Sequence, residues 1–429
     1  MGEKLIILGG KVGAQRHLVA IRDAFGTIIP LIFAGSLAVL LNNIHSMFGL
    51  QESFLPQFIR TFNGNVYWGS FAMINLLVVI MIGYNLGKSY DCNPILAALI
   101  SFGSFIAITP QVFNGEWGAI GSAYTSAVSL FVGILVSVIA SEVFIKLSRN
   151  KKLIIKLPEG VPPAVARSFA ALIPGVATMY VVVAVIGGAE ALYNAMVGTG
   201  TFMTIFDIIN EFVAAPLRGL ADSLPAALLV ALFNHLLWVF SLHGSNILEG
   251  VMQPVYFPLL EANIRAFAEG APIPHIVTKQ MFDIYIYMGG SGLTLGMLIA
   301  IFISSKNQAK RAVAKLSIGP GLFNINEPVI FGIPIVLNPI LAIPFILAPM
   351  ITVVTTYVAL SLNLAGRTIA FIPWSTPPII SALIGTDKPV GSIILQLINL
   401  AISILIYIPF IKLSDRAEEK IEQNKNQRA

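Results

Sequence analysis

Apolar residues run in long blocks along this chain, separated by short clusters of charge or of glycine and proline. Five blocks in the first half reach membrane length, at 24–48, 66–87, 94–112, 120–147 and 168–190. A bilayer core takes about 20 helical residues, so each predicts one span. The second half is interrupted. Segment 224–243 is apolar but ends in Leu242-His243-Gly244-Ser245-Asn246, and 281–303 predicts a further span. Over 317–349 stand Gly319, Pro320, Gly321, Pro328, Gly332, Pro334, Pro339, Pro344 and Pro349, and no straight helix survives that punctuation. An apolar stretch follows at 350–365, then 366–388 with Pro373, Trp374, Pro377, Pro378 and Gly385, then a last span at 389–412. Residues 11–23 set Lys11, Arg16, His17 and Arg22 among Val12, Leu18, Val19 and Ile21, which predicts a short amphipathic helix on the membrane surface.

This pattern divides the chain into an N-terminal segment 1–23, a regular half 24–205 suited to packing and oligomerisation, a broken half 206–412, and a charged tail 413–429. Irregular backbone at membrane depth is tolerated only where it is buried in protein or lines a wet cavity. Broken helices near the midplane are where transporters bind substrate. The broken half is therefore the expected substrate domain, in an all-α polytopic membrane protein.

Composition agrees with the pattern. Only 11% of the residues are charged and 56% are hydrophobic, where a soluble domain carries about 25% charge. The net charge of +5 does not indicate nucleic acid, because the basic residues gather between the apolar blocks. Lys146, Arg149, Lys151, Lys152, Lys156 and Arg167 face only Glu159 after the fourth span, and Lys306, Lys310, Arg311 and Lys315 follow 281–303. By the positive-inside rule these loops are cytoplasmic, and counting spans puts both termini there too. Leu5-Ile6-Ile7-Leu8 is too short for a signal-peptide core. Trp68 and Trp117 fall near predicted interfaces, where indoles anchor. One cysteine, Cys92, excludes an intrachain disulfide. There is neither a P-loop nor a Gly-x-Gly-x-x-Gly fingerprint, and the five histidines lack metal-ligand spacing. No cofactor or metal is expected.

Candidate chemistry sits in two places. Asn234, Trp238 and Ser241 stand at i, i+4 and i+7, on one helical face, with His235 beside it and His243 and Asn246 just beyond. A polar and aromatic stripe on a membrane helix points into a cavity or bonds a neighbouring helix. Indoles stack on the apolar face of a pyranose while amides and imidazoles meet its hydroxyls, so the stripe suits a sugar. The second place is Glu327, within Asn324-Ile325-Asn326-Glu327-Pro328. An acid at membrane depth costs several kcal/mol unless satisfied, which makes it a functional candidate. It can accept hydroxyl hydrogens, act as a general base, or merely cap a half-helix. Glu249 shares the hairpin after His243, Trp374 offers a second stacking face, and Arg367 can snorkel at an interface.

Ser241-Leu242-His243-Gly244 and Asn324-Ile325-Asn326-Glu327-Pro328-Val329-Ile330-Phe331-Gly332 resemble the signature regions of phosphotransferase-system IIC permeases. The resemblance is to the lactose/cellobiose/diacetylchitobiose branch, most of all to the diacetylchitobiose type, and covers nearly the whole chain. It implies a homodimer in the bacterial inner membrane, with about ten membrane helices per chain, two re-entrant hairpins and a mobile substrate domain. It implies that His243 and Glu327 are the central ligands of a β-linked disaccharide, with Asn326, His235 and Trp238 nearby. It also implies separate soluble partners: IIA, and a IIB that donates a phosphoryl group from a cysteine. Cys92, in a short Asp-Cys-Asn-Pro loop, does not carry such a module. The competing readings are an ion-coupled secondary sugar transporter using Glu327 and His243 as a proton relay, and a membrane sensor, for which no regulatory domain is visible.

Overall fold

A computed structural model describes residues 10–11, 13–47, 55–113, 118–155, 157–158, 160–198, 202–333 and 335–426. Trp117 lies outside the described residues, as do residues 1–9 and Val12. The first half comprises α1 (Arg16–Met47), α2 (Gln57–Trp68), α3 (Ile74–Ser89), α4 (Pro94–Ile108), α5 (Leu130–Ser148), α6 (Pro163–Ala170) and α7 (Leu172–Val197). A small antiparallel hairpin, Gln111–Phe113 with Gly118–Ile120, joins α4 to the segment before α5. The second half comprises α8 (Ile205–Ala221), α9 (Leu224–Val239), α10 (Gly244–Ala268), α11 (Thr294–Ser304), α12 (Gln308–Leu322), α13 (Glu327–Gly332), α14 (Pro339–Ser361), α15 (Ile380–Gly385) and α16 (Pro389–Asn426).

Among the described residues six helices are long and apolar enough to cross a membrane, and α8 with α9 forms an apolar pair bent by 81°, the geometry of a broken span or a re-entrant loop. Asp222 holds that bend. Its carboxylate accepts the amides of Ile276 (3.0 Å) and Val277 (2.7 Å) and meets the His275 ring at 2.9 Å.

The first core is a seam between α1, α3 and α10. Ala24, Phe25, Ile28 and Ile32 pack with Ile74, Val78, Ile82 and Leu86, and with Phe257, Leu260 and Ile264. Helix α1 thus belongs to both halves, and Ser36 Oγ also accepts the Phe371 amide at 2.6 Å. A second core forms from Val79, Phe105, Val132, Val136 and Val182. By contrast α7 leaves Tyr180, Leu192 and Met196 exposed, as a helix facing lipid or another chain would.

Three expectations need correction. Residues 16–23 are the opening turns of α1, continuous with the first span rather than a separate surface helix, because no proline or glycine interrupts Arg16 to Ala24. Segment 281–303 is not one span. A π-helical turn at Phe282–Ile286 gives way to Gly289, Gly290 and Gly292, all at positive φ, and helix resumes only at Thr294. The basic run after Ser304 is a loop only at Lys306; Lys310, Arg311 and Lys315 stand in α12. There Lys310 is buried, with Nζ at 2.8 Å from Ser414 Oγ, 2.8 Å from Asp415 Oδ1 and 2.9 Å from Glu418 Oε1, fastening α12 to α16.

Two hairpins interrupt the second half. Helix α12 ends at Leu322, Asn324 takes φ 61°, and α13 turns back beside it. Asparagine tolerates this left-handed conformation better than most residues. In the second hairpin, Ile369 donates to the Gly385 carbonyl at 2.9 Å and Thr368 bridges Thr386, so that α15 folds against α16.

Candidate functional site

The broken ends converge on one cavity of about 470 Å³, inside the ~300–1,000 Å³ range of small-molecule sites. Its wall draws on α1 (Arg22, Asp23, Gly26), α9 (Asn234, Trp238), the α9–α10 turn and α10 (His243, Asn246, Glu249), the glycine-rich turn at Gly290–Ser291, the hairpin at Asn324–Glu327, and Trp374.

Local sequence sets each part. Helix α9 stops at Val239 because Ser241 turns to φ 64°, which lets His243 cap the start of α10. At that tight turn a Cβ on Gly244 would stand 2.1 Å from the Asn234 carbonyl oxygen, so only glycine fits. His243 Nδ1 accepts the Asn246 amide at 3.2 Å. That bond leaves the ring proton on Nε2, which stands 3.5 Å from Glu327 Oε1. Both side chains stay open to the cavity, at 38% and 44% exposure. Glu327 opens α13, where Pro328 costs nothing because the first amides of a helix have no partner within it. The carboxylate faces His243, and it caps no helix.

Asn324 ties three segments together. Its Oδ1 accepts the Gly289 amide at 2.9 Å, and its Nδ2 donates to the carbonyls of Trp374 (2.7 Å) and Thr376 (3.0 Å). Asn326 Nδ2 donates to the Ser291 carbonyl at 3.0 Å, and Asn234 Nδ2 to Ser291 Oγ at 3.1 Å. Ser245 Oγ lies 3.0 Å from Ser291 Oγ and donates to Asn234 Oδ1 at 3.2 Å. These bonds tie α9, α10 and the hairpin to the Gly290–Ser291 turn through amides and hydroxyls. Lys279 Nζ lies 2.8 Å from Asp283 Oδ2 and 3.7 Å from Glu249 Oε1, a triad within the wall.

The structure gathers most of the sequence candidates. Asn234, Trp238, His243, Asn246, Asn326, Glu327 and Trp374 all line the cavity. Their parts differ from expectation. Trp238 is only 3% exposed and its ring sits 4.3 Å from the His243 ring, so its stacking face is already occupied. Trp374, 49% exposed, presents the free aromatic surface. His235 does not line the cavity. It is fully buried behind the wall, its Nδ1 donating to the Ala231 carbonyl at 2.5 Å and its ring between Tyr287 and Phe345. Ser241 lies past the end of α9 and leaves the stripe. Arg367 does not snorkel; it donates to the carbonyls of Ile273 and Pro274. Cys92 is a half-buried free thiol whose pKa burial pushes up, the opposite of what a reactive thiolate needs.

Sequence reasoning does not single out Arg22, Asp23, Lys279, Asp283 or Ser291 as site residues. The amphipathic pattern of 11–23 puts Arg22 on the membrane surface instead. For Lys279 and Asp283 a signal exists: two opposite charges at i, i+4 opening an apolar block.

Comparison with known proteins points the same way. The model of the family "Phosphotransferase system, EIIC" matches residues 22–349. The lichenan permease IIC component of Bacillus subtilis (strain 168) is 33% identical over 98% of this chain and 94% of its own. The oligo-beta-mannoside-specific EIIC component of the same organism is 35% identical, over 97% and 94%. The cellobiose-specific EIIC component of Geobacillus stearothermophilus is 34% identical, over 98% and 95%. Among solved structures, ChbC, the IIC component of an N,N'-diacetylchitobiose-specific phosphotransferase system, superposes with a TM-score of 0.88 over 98% of both chains at 34% identity.

Proposed function

The chain belongs to the phosphotransferase system EIIC family, a multi-pass sugar permease, and from that premise we propose that its cavity binds a β-linked disaccharide and presents it to a phosphorylated IIB partner. The observation that carries this reading is the His243–Glu327 pair, which meets at the broken ends of two membrane helices and opens onto a cavity large enough for two sugar rings. His243 Nε2–H donates to a hydroxyl oxygen, and Glu327 accepts the hydrogen of the hydroxyl that will be phosphorylated. Asn246 and Asn326 border the same space, and Trp374 stacks on a ring face. Trp238 positions His243 rather than sugar. Cellobiose, oligo-β-mannoside and diacetylchitobiose in the relatives' names are all β-linked, which supports that linkage here.

In this reading the phosphoryl group passes from a IIB cysteine sulfur to a sugar hydroxyl oxygen, Glu327 takes the hydroxyl proton, and the thiolate leaves on IIB. We further propose that the chain works as a homodimer in the inner membrane with both termini cytoplasmic. The apolar exposure of α7 and the basic runs at 146–167 and 306–315 support that arrangement.

The decisive experiment supplies radiolabelled cellobiose to membranes carrying the chain, with IIA, IIB and phosphoenolpyruvate. Recovery of sugar phosphate that depends on IIB is expected. Uptake of unmodified sugar, abolished by a proton ionophore, would overturn the reading in favour of ion coupling.

A further inference from the structure

Resting on that function, we propose that Arg22 is a catalytic residue: the cation that binds the phosphoryl group during its transfer. Transfer between sulfur and oxygen gathers negative charge on the three non-bridging oxygens, and a fixed cation aimed at them lowers the barrier. The wall offers three basic side chains besides Asn and Ser donors: Arg22, His243 and Lys279. Lys279 is committed to Asp283 and Glu249. His243 faces Glu327 and holds the sugar side of the reaction. Arg22 has donors to spare. Its Nε and Nη2 both reach Asp23 Oδ1, at 2.9 and 2.7 Å. Of the five N–H bonds in a guanidinium, both on Nη1 and one on Nη2 stay uncommitted among the described residues.

Position supports the role. Arg22 lies fewer than two turns into α1, which starts at Arg16, so it stands at the end of a span rather than its middle. It is 30% exposed and borders the same cavity as His243 and Glu327. A donor protein arriving at that end of the span meets Arg22 before the sugar. Asp23 is then a positioning residue: it holds one edge of the planar guanidinium and leaves the other edge for a bidentate grip on two phosphoryl oxygens. As the S–P bond breaks and the O–P bond forms, Glu327 takes the hydroxyl proton, and Arg22 neutralises charge without exchanging a proton.

The test uses the full chain with IIA, IIB and phosphoenolpyruvate, and compares Arg22→Ala and Arg22→Lys with the unmodified protein. Arg22→Ala is expected to lower kcat for cellobiose phosphorylation about 10²–10³-fold, at saturating sugar and saturating phospho-IIB, as for loss of one transition-state donor. Sugar Kd, measured on purified protein, should stay within about threefold, which also shows that the variant folds. Millimolar guanidinium should restore part of the kcat of Arg22→Ala, and urea should not. Arg22→Lys should recover less than full rate, since an ammonium lacks the planar fork. An unchanged kcat would overturn the assignment. So would a rise in Kd that accounts for the whole loss, which would make Arg22 a sugar ligand, or a change confined to the KM for phospho-IIB, which would make it a docking residue. If the unmodified chain binds cellobiose yet never phosphorylates it, the parent reading fails and takes the role of Arg22 with it.

Discussion

A single proton position decides how His243 and Glu327 can share one sugar. Because His243 Nδ1 is occupied by the Asn246 amide, the ring donates from Nε2, while the carboxylate accepts. Ligand binding and base catalysis by Glu327 can be separated by Glu327→Gln, which keeps an acceptor and loses the base. Phosphorylation should fall about 10²–10⁴-fold further than sugar affinity does, the range for loss of a general base. Equal losses in isothermal titration and in the phosphorylation assay would reduce Glu327 to a ligand. The two tryptophans part in a similar way. Trp374→Ala should weaken sugar binding about 2–12-fold, the worth of one aromatic contact. Trp238→Ala should act through His243, and the double variant Trp238→Ala/His243→Ala should bind no worse than His243→Ala alone. His243 and Glu327 stand out in the sequence because a polar group at a helix break is costly in a membrane unless it is used. The occupied ring of Trp238 and the burial of His235 do not, because residues next to each other on α9 look alike until a partner wall exists.

At the scale of the element, proline is legible at the first hairpin and misleading beyond it, since Pro344 and Pro349 lie inside the continuous helix α14, and glycine makes a break that the sequence hides. The prolines of 317–349 announce the α12–α13 hairpin. The break before α11 rests on Gly289, Gly290 and Gly292, which read in sequence as ordinary small residues of a membrane helix. Gly290 has φ +95°, and a Cβ there would come within 2.7 Å of the Asn324 carbonyl oxygen and of Asn326 Cβ. Gly290→Ala should therefore pry the hairpin from its seat, adding about 1–3 kcal/mol of backbone strain and lowering both melting temperature and sugar affinity. Gly319→Ala, in α12 with open space around it, should cost neither. A Gly290→Ala protein with full affinity would show that the hairpin does not need this close approach. The start of α1 misleads for a different reason. A basic amphipathic stretch reads as a surface helix, yet the same charges suit a span whose first turns border a polar cavity.

The whole molecule joins its regular and broken halves along the seam of α1 with α10, and two of its large-scale properties are open to direct measurement. With Cys92 replaced by Ser, a cysteine at exposed Glu419 should react with impermeant maleimide in inverted vesicles and not in intact cells. Labelling from outside would reverse the topology. Paired cysteines along the exposed face of α7, at Tyr180 or Leu192, should cross-link two chains, while cysteines near Phe331 should not. The reverse would move the dimer contact into the substrate half.

The cavity wall is shared: Arg22 and Asp23 come from the helix seated in both halves, while His243, Glu327 and Trp374 come from the broken half alone. A molecule spanning both walls binds most tightly to one relative placement of them, and by mass action it pulls the protein toward that placement. A molecule touching one wall binds every placement alike and pulls toward none, however tight its grip. Chain length in the sugar is then a signal as well as an identity. A monosaccharide that reaches one wall is expected to leave the placement of the walls unchanged, whereas a disaccharide that reaches both is expected to shift it.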